Sequence, residues 1–207
     1  MPIPINLVFE DEISEFTMLK ILDSFGEKYY CGISYPGNGF GYIKSNINGF
    51  NQAAIVTPFF VLTDLDNYSC PLELINDWLN NPPKPNLIFR IAVREIEAWL
   101  LADREGYSNF TGVSLANFPL HPEEETDPKQ TLINITKKSR RRSLREDIVP
   151  INENAQIGPN YNEQLMNYVA SIWDIERAMV NSESLRRAYR YLERFEYNIP
   201  NNKSKNW

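Results

Sequence analysis

Acidic side chains stand where apolar runs of this 207-residue chain end. Glu10 closes the run 5–9, and Asp64 and Asp66 follow the run 59–62. Residues two apart in an extended segment point the same way, so we expect Asp64 and Asp66 to face one site. Clustered carboxylates repel one another and are costly to bury unless a cation neutralises them. The spacing therefore predicts a divalent-metal site that could polarise a phosphate or activate a water.

Two further acids, Glu95 and Glu97, follow the apolar run 87–93. Glutamate is also favoured in the first turn of a helix by the macrodipole. Residues two apart on a helix do not share a face, so at most one of these two is expected to reach the site. For the aspartates, the competing interpretation is that Asp66 belongs to a turn and Asp64 caps the next helix.

The composition argues against several other kinds of metal site, cross-link and catalytic site. The single histidine, His121, and the two cysteines, Cys31 and Cys70, supply neither a zinc site, a disulfide framework nor a Ser-His-Asp triad. Any metal would be held by oxygen, which indicates Mg²⁺, Mn²⁺ or Ca²⁺. The net charge of −6 argues against coating of nucleic acid by bulk electrostatics. The chain has no apolar run long enough to span a membrane and no secretory signal at residues 1–4, so we expect a cytoplasmic protein.

The order of the elements predicts how these acids are positioned. Apolar runs that alternate with helical patterns indicate an α/β fold, a mainly parallel sheet flanked by helices. Ligands of such sheets bind beyond the carboxyl ends of the strands, where the acids lie. Strand signals stop near Gly106, which predicts an α/β domain over 1–105 and a helical C-terminal subdomain over 106–207. The predicted strands are 5–9, 29–35, 59–62 and 87–93, and the predicted helices start near 12, 71, 95, 128, 161 and 184, with Ser182 or Ser184 as the last N-cap.

Two segments, LVFE at 7–10 and FVLTDLD at 60–66, resemble the TOPRIM domain of topoisomerases, primases and OLD-type nucleases. The stretch REIEAWLLAD at 94–103 and the later DPK at 127–129 are similar to a bacterial group of TOPRIM-like proteins of unknown function. Members of that group often stand beside genes for ABC- or SMC-type ATPases, in loci suspected of defence against phage. The resemblance covers the first half of the chain well and the second half more loosely.

The resemblance implies a TOPRIM/Rossmann-like fold and a Mg²⁺- or Mn²⁺-dependent nuclease, with DNA expected before RNA. It implies that Glu10 acts as general acid/base or metal ligand, that Asp64 and Asp66 are metal ligands, and that Glu97 is an auxiliary acid. It also implies a possible ATPase partner and a role as an anti-phage effector. One departure is Asp11, because TOPRIM proteins commonly have glycine there. The acidic loop that it begins could build a second metal site or repel nucleic acid.

Positive charge concentrates in one segment of this acidic chain. We predict that it forms a nucleic-acid backbone track; a solvated helix end, or pairing with the acidic run 123–125, are the alternatives. Lys129, at a predicted helix start, is expected to reach the scissile phosphate as a catalytic residue. The arginines of the last helix are interpreted as an amphipathic pattern with its aromatic residues facing the core. The residues of the predicted track are Lys137, Lys138, Arg140, Arg141, Arg142 and Arg145.

Three other functions fit parts of the pattern. The segment 60–66 also resembles the first motif of haloacid-dehalogenase-type phosphatases, but no later acidic strand end follows Asp103. The Asp-x-Asp pair occurs in nucleotide-sugar glycosyltransferases too, which are expected to be larger. A non-catalytic TOPRIM-like subunit that docks on an ATPase is the third, and the acidic loop after Glu10 favours it.

Overall fold

The computed structural model describes residues 1–37, 39–152 and 154–199, and in it four parallel strands form one sheet in the order β2-β1-β3-β4. The α/β prediction of a parallel sheet flanked by helices is confirmed. The strands are β1 (Ile3–Phe9), β2 (Tyr29–Pro36), β3 (Phe59–Asp64) and β4 (Leu87–Ala92).

The central strands β1 and β3 are covered on both faces, which explains their uninterrupted apolar sequences. Register aligns the carboxyl ends of neighbouring strands, with Phe9 beside Pro36 and Asp64 beside Ala92. Glu10 and Asp64 are therefore brought to the same edge of the sheet by strand pairing. After β4 the chain passes through a cis peptide bond between Val93 and Arg94 before the next helix.

Ten α-helices are present in the described part of the chain. Six match predicted helices, and Pro71, Pro128 and Ser182 start or cap their helices as expected. Four were not predicted, namely the second, fifth, seventh and ninth. The helices are α1 (Glu12–Asp23), α2 (Phe40–Ala53), α3 (Pro71–Trp78), α4 (Ile96–Ala102), α5 (Arg104–Thr111), α6 (Pro128–Lys137), α7 (Arg142–Ile148), α8 (Tyr161–Ser171), α9 (Ile175–Asn181) and α10 (Glu183–Arg194).

Apolar side chains form one cluster on each face of the sheet. The smaller cluster joins the sheet to α2 and α3. The larger cluster contains side chains from Ile5 in β1 to Phe195 after α10, so both halves of the chain share it. The predicted division after residue 105 falls inside α5. Among the described helices, none has the length and apolar character needed to cross a membrane.

Candidate active site

Glu10 lies directly beyond β1 and is anchored to β3 through one carboxylate oxygen. Its Oε1 accepts hydrogen bonds from the Thr63 hydroxyl and from the backbone N–H of Asp64, the latter at 3.0 Å. Its Oε2 has no hydrogen-bond partner among the described residues. The carboxylate is thus fixed in position while one oxygen stays open to a proton, a metal or substrate.

The glycine-rich turn after β2 holds the backbone around Glu10. Gly37 donates a 2.7 Å hydrogen bond to the carbonyl of Phe9, and Gly39 donates to the carbonyl of Glu10 at 3.2 Å. A Cβ atom on Gly37 would come within 2.7 Å of the Phe9 carbonyl oxygen, so only glycine permits this approach. The segment predicted as a structural turn therefore supports the site, and α2 begins within it at Phe40.

Asp11 has a local structural role that explains its departure from the TOPRIM pattern. Its Oδ1 accepts the backbone N–H of Ser14 at 2.8 Å, which makes it the N-cap of α1. The side chain thereby satisfies an amide at the helix start. Its charge still acts on the site, because it contributes to raising the pKa of both Glu10 and Asp64.

Asp64, the last residue of β3, connects the sheet to the start of α4. Its Oδ1 accepts the backbone N–H of Ile96 at 2.9 Å, while its Oδ2 has no partner in the described chain. The sequence allowed for Asp64 as a helix cap, but the helix it caps is α4 and not the next one, α3. This cap brings the end of β3 and the β4–α4 connection together.

Asp66 lies in the turn that follows β3, beyond the extended segment that the two-residue spacing assumed. The extended strand ends at Asp64, and Asp66 takes a left-handed conformation with φ of 48°. Its carbonyl accepts a hydrogen bond from the Arg94 guanidinium at 3.3 Å. Asp66 is exposed at the rim of the site, near enough for its charge to contribute to the raised pKa of Glu10.

Glu95 and Glu97 both contact Lys129. Glu95 Oε2 accepts the backbone N–H of Lys129 at 3.1 Å, and Glu97 Oε1 lies 3.4 Å from the Lys129 ammonium. Glu95 is the extended N-cap of α4 and not part of its first turn, so the helical spacing rule does not apply to this pair. Lys129 therefore links the helical half of the chain to the acids.

Glu97 is fully buried, and sequence analysis missed its main neutral partner. The Tyr161 hydroxyl donates a 2.9 Å hydrogen bond to Glu97 Oε1. Glu97 Oε2 is buried without any hydrogen-bond partner. No motif surrounds Tyr161, and the two residues are 64 positions apart, so no sequence signal could have paired them.

Burial and mutual repulsion keep protons on these acids to unusually high pH. Burial raises the pKa of Glu10, against the opposing hydrogen bonds from Thr63 and the Asp64 amide. Burial, followed by the charges of Glu97 and Glu10, raises the pKa of Asp64 well above its usual range. Burial raises the pKa of Glu97 to about 7 even though Lys129 pulls it down. Desolvation is thus the main reason that these acids keep their protons, and a bound cation would favour their charged forms.

Glu10, Asp64 and Glu97 share one arrangement that bears on metal binding. Each has one oxygen held by protein donors and the other without a partner in the described chain. Oxygen donors of this type suit Mg²⁺ or Mn²⁺. Across residues 1–37, 39–152 and 154–199, no three acidic, histidine or cysteine side chains stand preassembled around one metal position. The donor chemistry thus fits a divalent cation, although the ligands are not already convergent.

The predicted basic track is partly occupied by backbone contacts. The Arg141 guanidinium donates to the carbonyl of Phe110 at 2.8 Å, and the Arg145 guanidinium donates to the carbonyl of Ser139. These two side chains help to hold the turn between α6 and α7, and their assignment to nucleic-acid binding stays a prediction. Arg142 pairs with Glu146 at 2.7 Å.

Lys137, Lys138 and Arg140 remain exposed on this surface. The alternative pairing with the acidic run 123–125 is not formed by any described residue. Glu123 instead accepts the hydroxyl and amide of Ser184, at 2.6 and 2.9 Å, at the start of α10. Glu125 accepts the hydroxyl of Thr131.

The geometry brings Glu10, Asp64, Glu97 and Lys129 to one edge of the sheet, with Asp66 at its rim. The predicted TOPRIM relationship depends on these residues and their order along the chain. Comparisons of this chain with protein-family models, curated proteins and solved structures gave no match.

Proposed function

We propose that this chain is a metal-dependent, TOPRIM-like nuclease that hydrolyses phosphodiester bonds, with DNA as the preferred substrate. The observation that carries the proposal is the set of half-held carboxylates, by which we mean Glu10, Asp64 and Glu97 at the carboxyl ends of β1 and β3 and the start of α4. Each is fixed through one oxygen and open at the other. Buried acids without a full set of donors are costly, which is the usual signature of a functional site.

In this proposal Asp64 and Asp66 hold Mg²⁺ or Mn²⁺, and Glu10 is either a third ligand or the general acid/base. The ion would neutralise the acids and polarise the scissile phosphate. As general acid/base, Glu10 would receive or give a proton through Oε2, and burial, which raises the pKa of this carboxyl, favours its protonated form. Thr63 and the Asp64 amide keep its other oxygen in place during that exchange.

Lys129 and Glu97 act together at the side of the site formed by the helical half. Burial opposes the charged form of Lys129, but the carboxylates of Glu97, Glu95 and Asp64 outweigh it and raise the lysine pKa. Lys129 is therefore a permanent cation with 37% of its side chain exposed. Glu97 fixes one side of the ammonium, and the exposed side can steady negative charge that develops on a phosphate.

A non-catalytic docking subunit is less well supported than the nuclease. The acidic loop after Glu10 was the feature that favoured it, and Asp11 in that loop is explained by its cap on α1. The proposed ATPase partner and anti-phage role rest on the resemblance alone. Neither changes what the site residues are expected to do.

Cleavage of supercoiled plasmid and single-stranded DNA with Mg²⁺ or Mn²⁺ tests the proposal. Asp64→Asn keeps the oxygen that caps α4 and removes the charge, so we expect a folded protein whose cleavage falls to background. Asp23→Asn is the matched control, because Asp23 is an exposed acid at the C-terminal end of α1, opposite the end that Asp11 caps. Cleavage by Asp64→Asn at the wild-type rate, or equal loss in the control, would reject the assignment.

A further inference from the structure

One face of α10 is an array of arginines. Arg187, Arg190, Tyr191 and Arg194 recur at i, i+3, i+4 and i+7, so their side chains lie along one side of the helix. The opposite side packs into the core. Tyr191 was expected to face the core, but 40% of it is exposed, which corrects that expectation. The core side of α10 consists of Leu185, Ala188 and Leu192.

A fourth arginine, Arg90, reaches the same place from β4. Its guanidinium carbon lies 3.9 Å from the ring centroid of Tyr191, and its Nε is buried without a hydrogen-bond partner. A cavity of about 620 Å³ is lined by all four arginines and by Tyr191. We call this cavity the arginine cleft and define it by Arg90, Arg187, Arg190, Tyr191 and Arg194.

Charge in the arginine cleft is only partly balanced. Arg187 pairs with Glu183 at 2.7 Å, and among the described residues Glu196 is the one acid that lines the cavity. Arg190 and Arg194 form no ion pair within the described residues. Converging guanidinium groups in a chain of net charge −6 repel one another, and an anion in the cleft would remove that repulsion.

We propose that the arginine cleft binds the phosphodiester backbone of a single-stranded nucleic acid. Guanidinium groups match phosphate oxygens in planar, bidentate pairs. Proteins that hold single strands combine a basic groove with aromatic side chains on which bases stack, and Tyr191 stands half exposed among the arginines. An acidic peptide would match the charge but would make no use of the exposed ring.

The arginine cleft adjoins a second cavity. This cavity, of about 490 Å³, shares Arg90 and Arg187, extends along β4 to Val93 and is also lined by Glu123 and Glu183. Arg90 and Val93 are about 10 Å apart along an extended chain. Val93 immediately precedes the connection that carries Glu95. The inference that the bound strand is also the substrate of the carboxylate site rests on the proposed function. The inference that the arginine cleft binds a single strand does not.

Fluorescence anisotropy with a labelled oligothymidine, in EDTA so that no cleavage occurs, tests the cleft. Arg190→Gln/Arg194→Gln removes two exposed cations that form no hydrogen bond or ion pair with the described residues, so the fold is expected to persist. Lys137→Gln/Arg140→Gln removes the same charge from the other basic surface and gives the comparison. We expect at least a tenfold weaker Kd for the cleft variant, and a salt slope smaller by about 1.4, since each strand phosphate contributes about 0.7.

The comparison variant is expected to lose clearly less affinity than the cleft variant. Equal or greater loss in the comparison variant would overturn the proposal, as would wild-type binding by the cleft variant. Polyglutamate of equal charge is the competitor that separates the two polyanions. If it displaces the oligonucleotide as well as unlabelled oligothymidine does, the cleft recognises acidic protein and the proposal is wrong. If Asp64→Asn loses cleavage but binds the oligonucleotide as tightly as the wild type, binding by the arginine cleft is supported separately from catalysis by the carboxylate site.

Discussion

Two buried carboxylates on the same short stretch of chain have opposite environments. Asp103, just after α4, accepts four hydrogen bonds, from the amides of Gly106 and Asp174 and from two nitrogens of Arg177. Glu97, near the start of α4, accepts one from Tyr161, lies 3.4 Å from an ammonium and leaves one oxygen without a partner. Neither side chain is exposed by more than 1%.

The difference is that expected between an acid with a structural role and one that belongs to the proposed active site. The hydrogen bonds that Asp103 accepts join α4, α5 and α9, and the neighbouring sequence leaves room for its carboxylate. A Cβ atom on Gly106 would lie only 2.1 Å from Asp103 Oδ2, so the glycine makes room for the carboxylate. Among the described residues, no similar set of donors surrounds Glu97, whose second oxygen has no partner. A buried acid left without a full set of donors is more typical of active sites than of purely structural ones.

Replacement of Asp103 should have the largest effect on stability. Asp103→Asn breaks the ion pair with Arg177. It also places the NH₂ group of asparagine, a donor, against backbone N–H groups that donate to the carboxylate. We expect a loss of about 3 kcal/mol in the free energy of unfolding, at the low end for buried pairs because Arg177 is partly exposed. Urea denaturation measures it. A loss in the free energy of unfolding below about 1 kcal/mol would show that the hydrogen bonds of Asp103 do not stabilise the fold as proposed.

Replacement of Glu97 should instead raise the free energy of unfolding, and only at high pH. Burial raises the pKa of Glu97 from 4.5 to about 7, so the folded state binds its proton more tightly than the unfolded state. Stability therefore falls as pH rises through that window, by roughly 3 kcal/mol for this group. In EDTA, Glu97→Gln should gain that much relative to wild type between about pH 5 and pH 8. A difference independent of pH would contradict the raised pKa.

The smallest expected effect separates the two functions of Asp64. Asp64→Asn retains the acceptor for the Ile96 amide and relieves repulsion, whereas Asp64→Ala also removes the cap of α4. We expect the alanine variant to be less stable than the asparagine variant by about 1 kcal/mol. Thermal unfolding of the two proteins side by side measures this. Equal stability would mean that the Asp64 side chain does not cap α4.

The sequence predicted what depends on local pattern and missed what depends on distant contacts. Apolar runs identified β1, β3 and β4, the segment 29–35 was also predicted as a strand, and Pro128 and Ser182 located helix starts. The apolar pattern did not show that the extended strand ends at Asp64, with Asp66 in the turn that follows. It also did not show that Glu95 precedes α4 as its extended N-cap.

The partners of the site and of the cleft could not be found by pattern at all. Tyr161 meets Glu97 only because α8 packs beside α4 in the larger core. Arg90 interrupts an otherwise apolar strand, and its meaning appears only when α10 places Tyr191 over it. Such contacts depend on tertiary packing, and no local periodicity encodes them.

Calorimetric titration with Mn²⁺ tests the central claim that the half-held carboxylates form a divalent-metal site. Wild-type protein and Asp23→Asn should bind Mn²⁺ with matching heat, and Asp64→Asn should not bind it while retaining its fold by circular dichroism. Failure of the wild type to bind Mn²⁺, or binding by Asp64→Asn with unchanged affinity, would contradict the account.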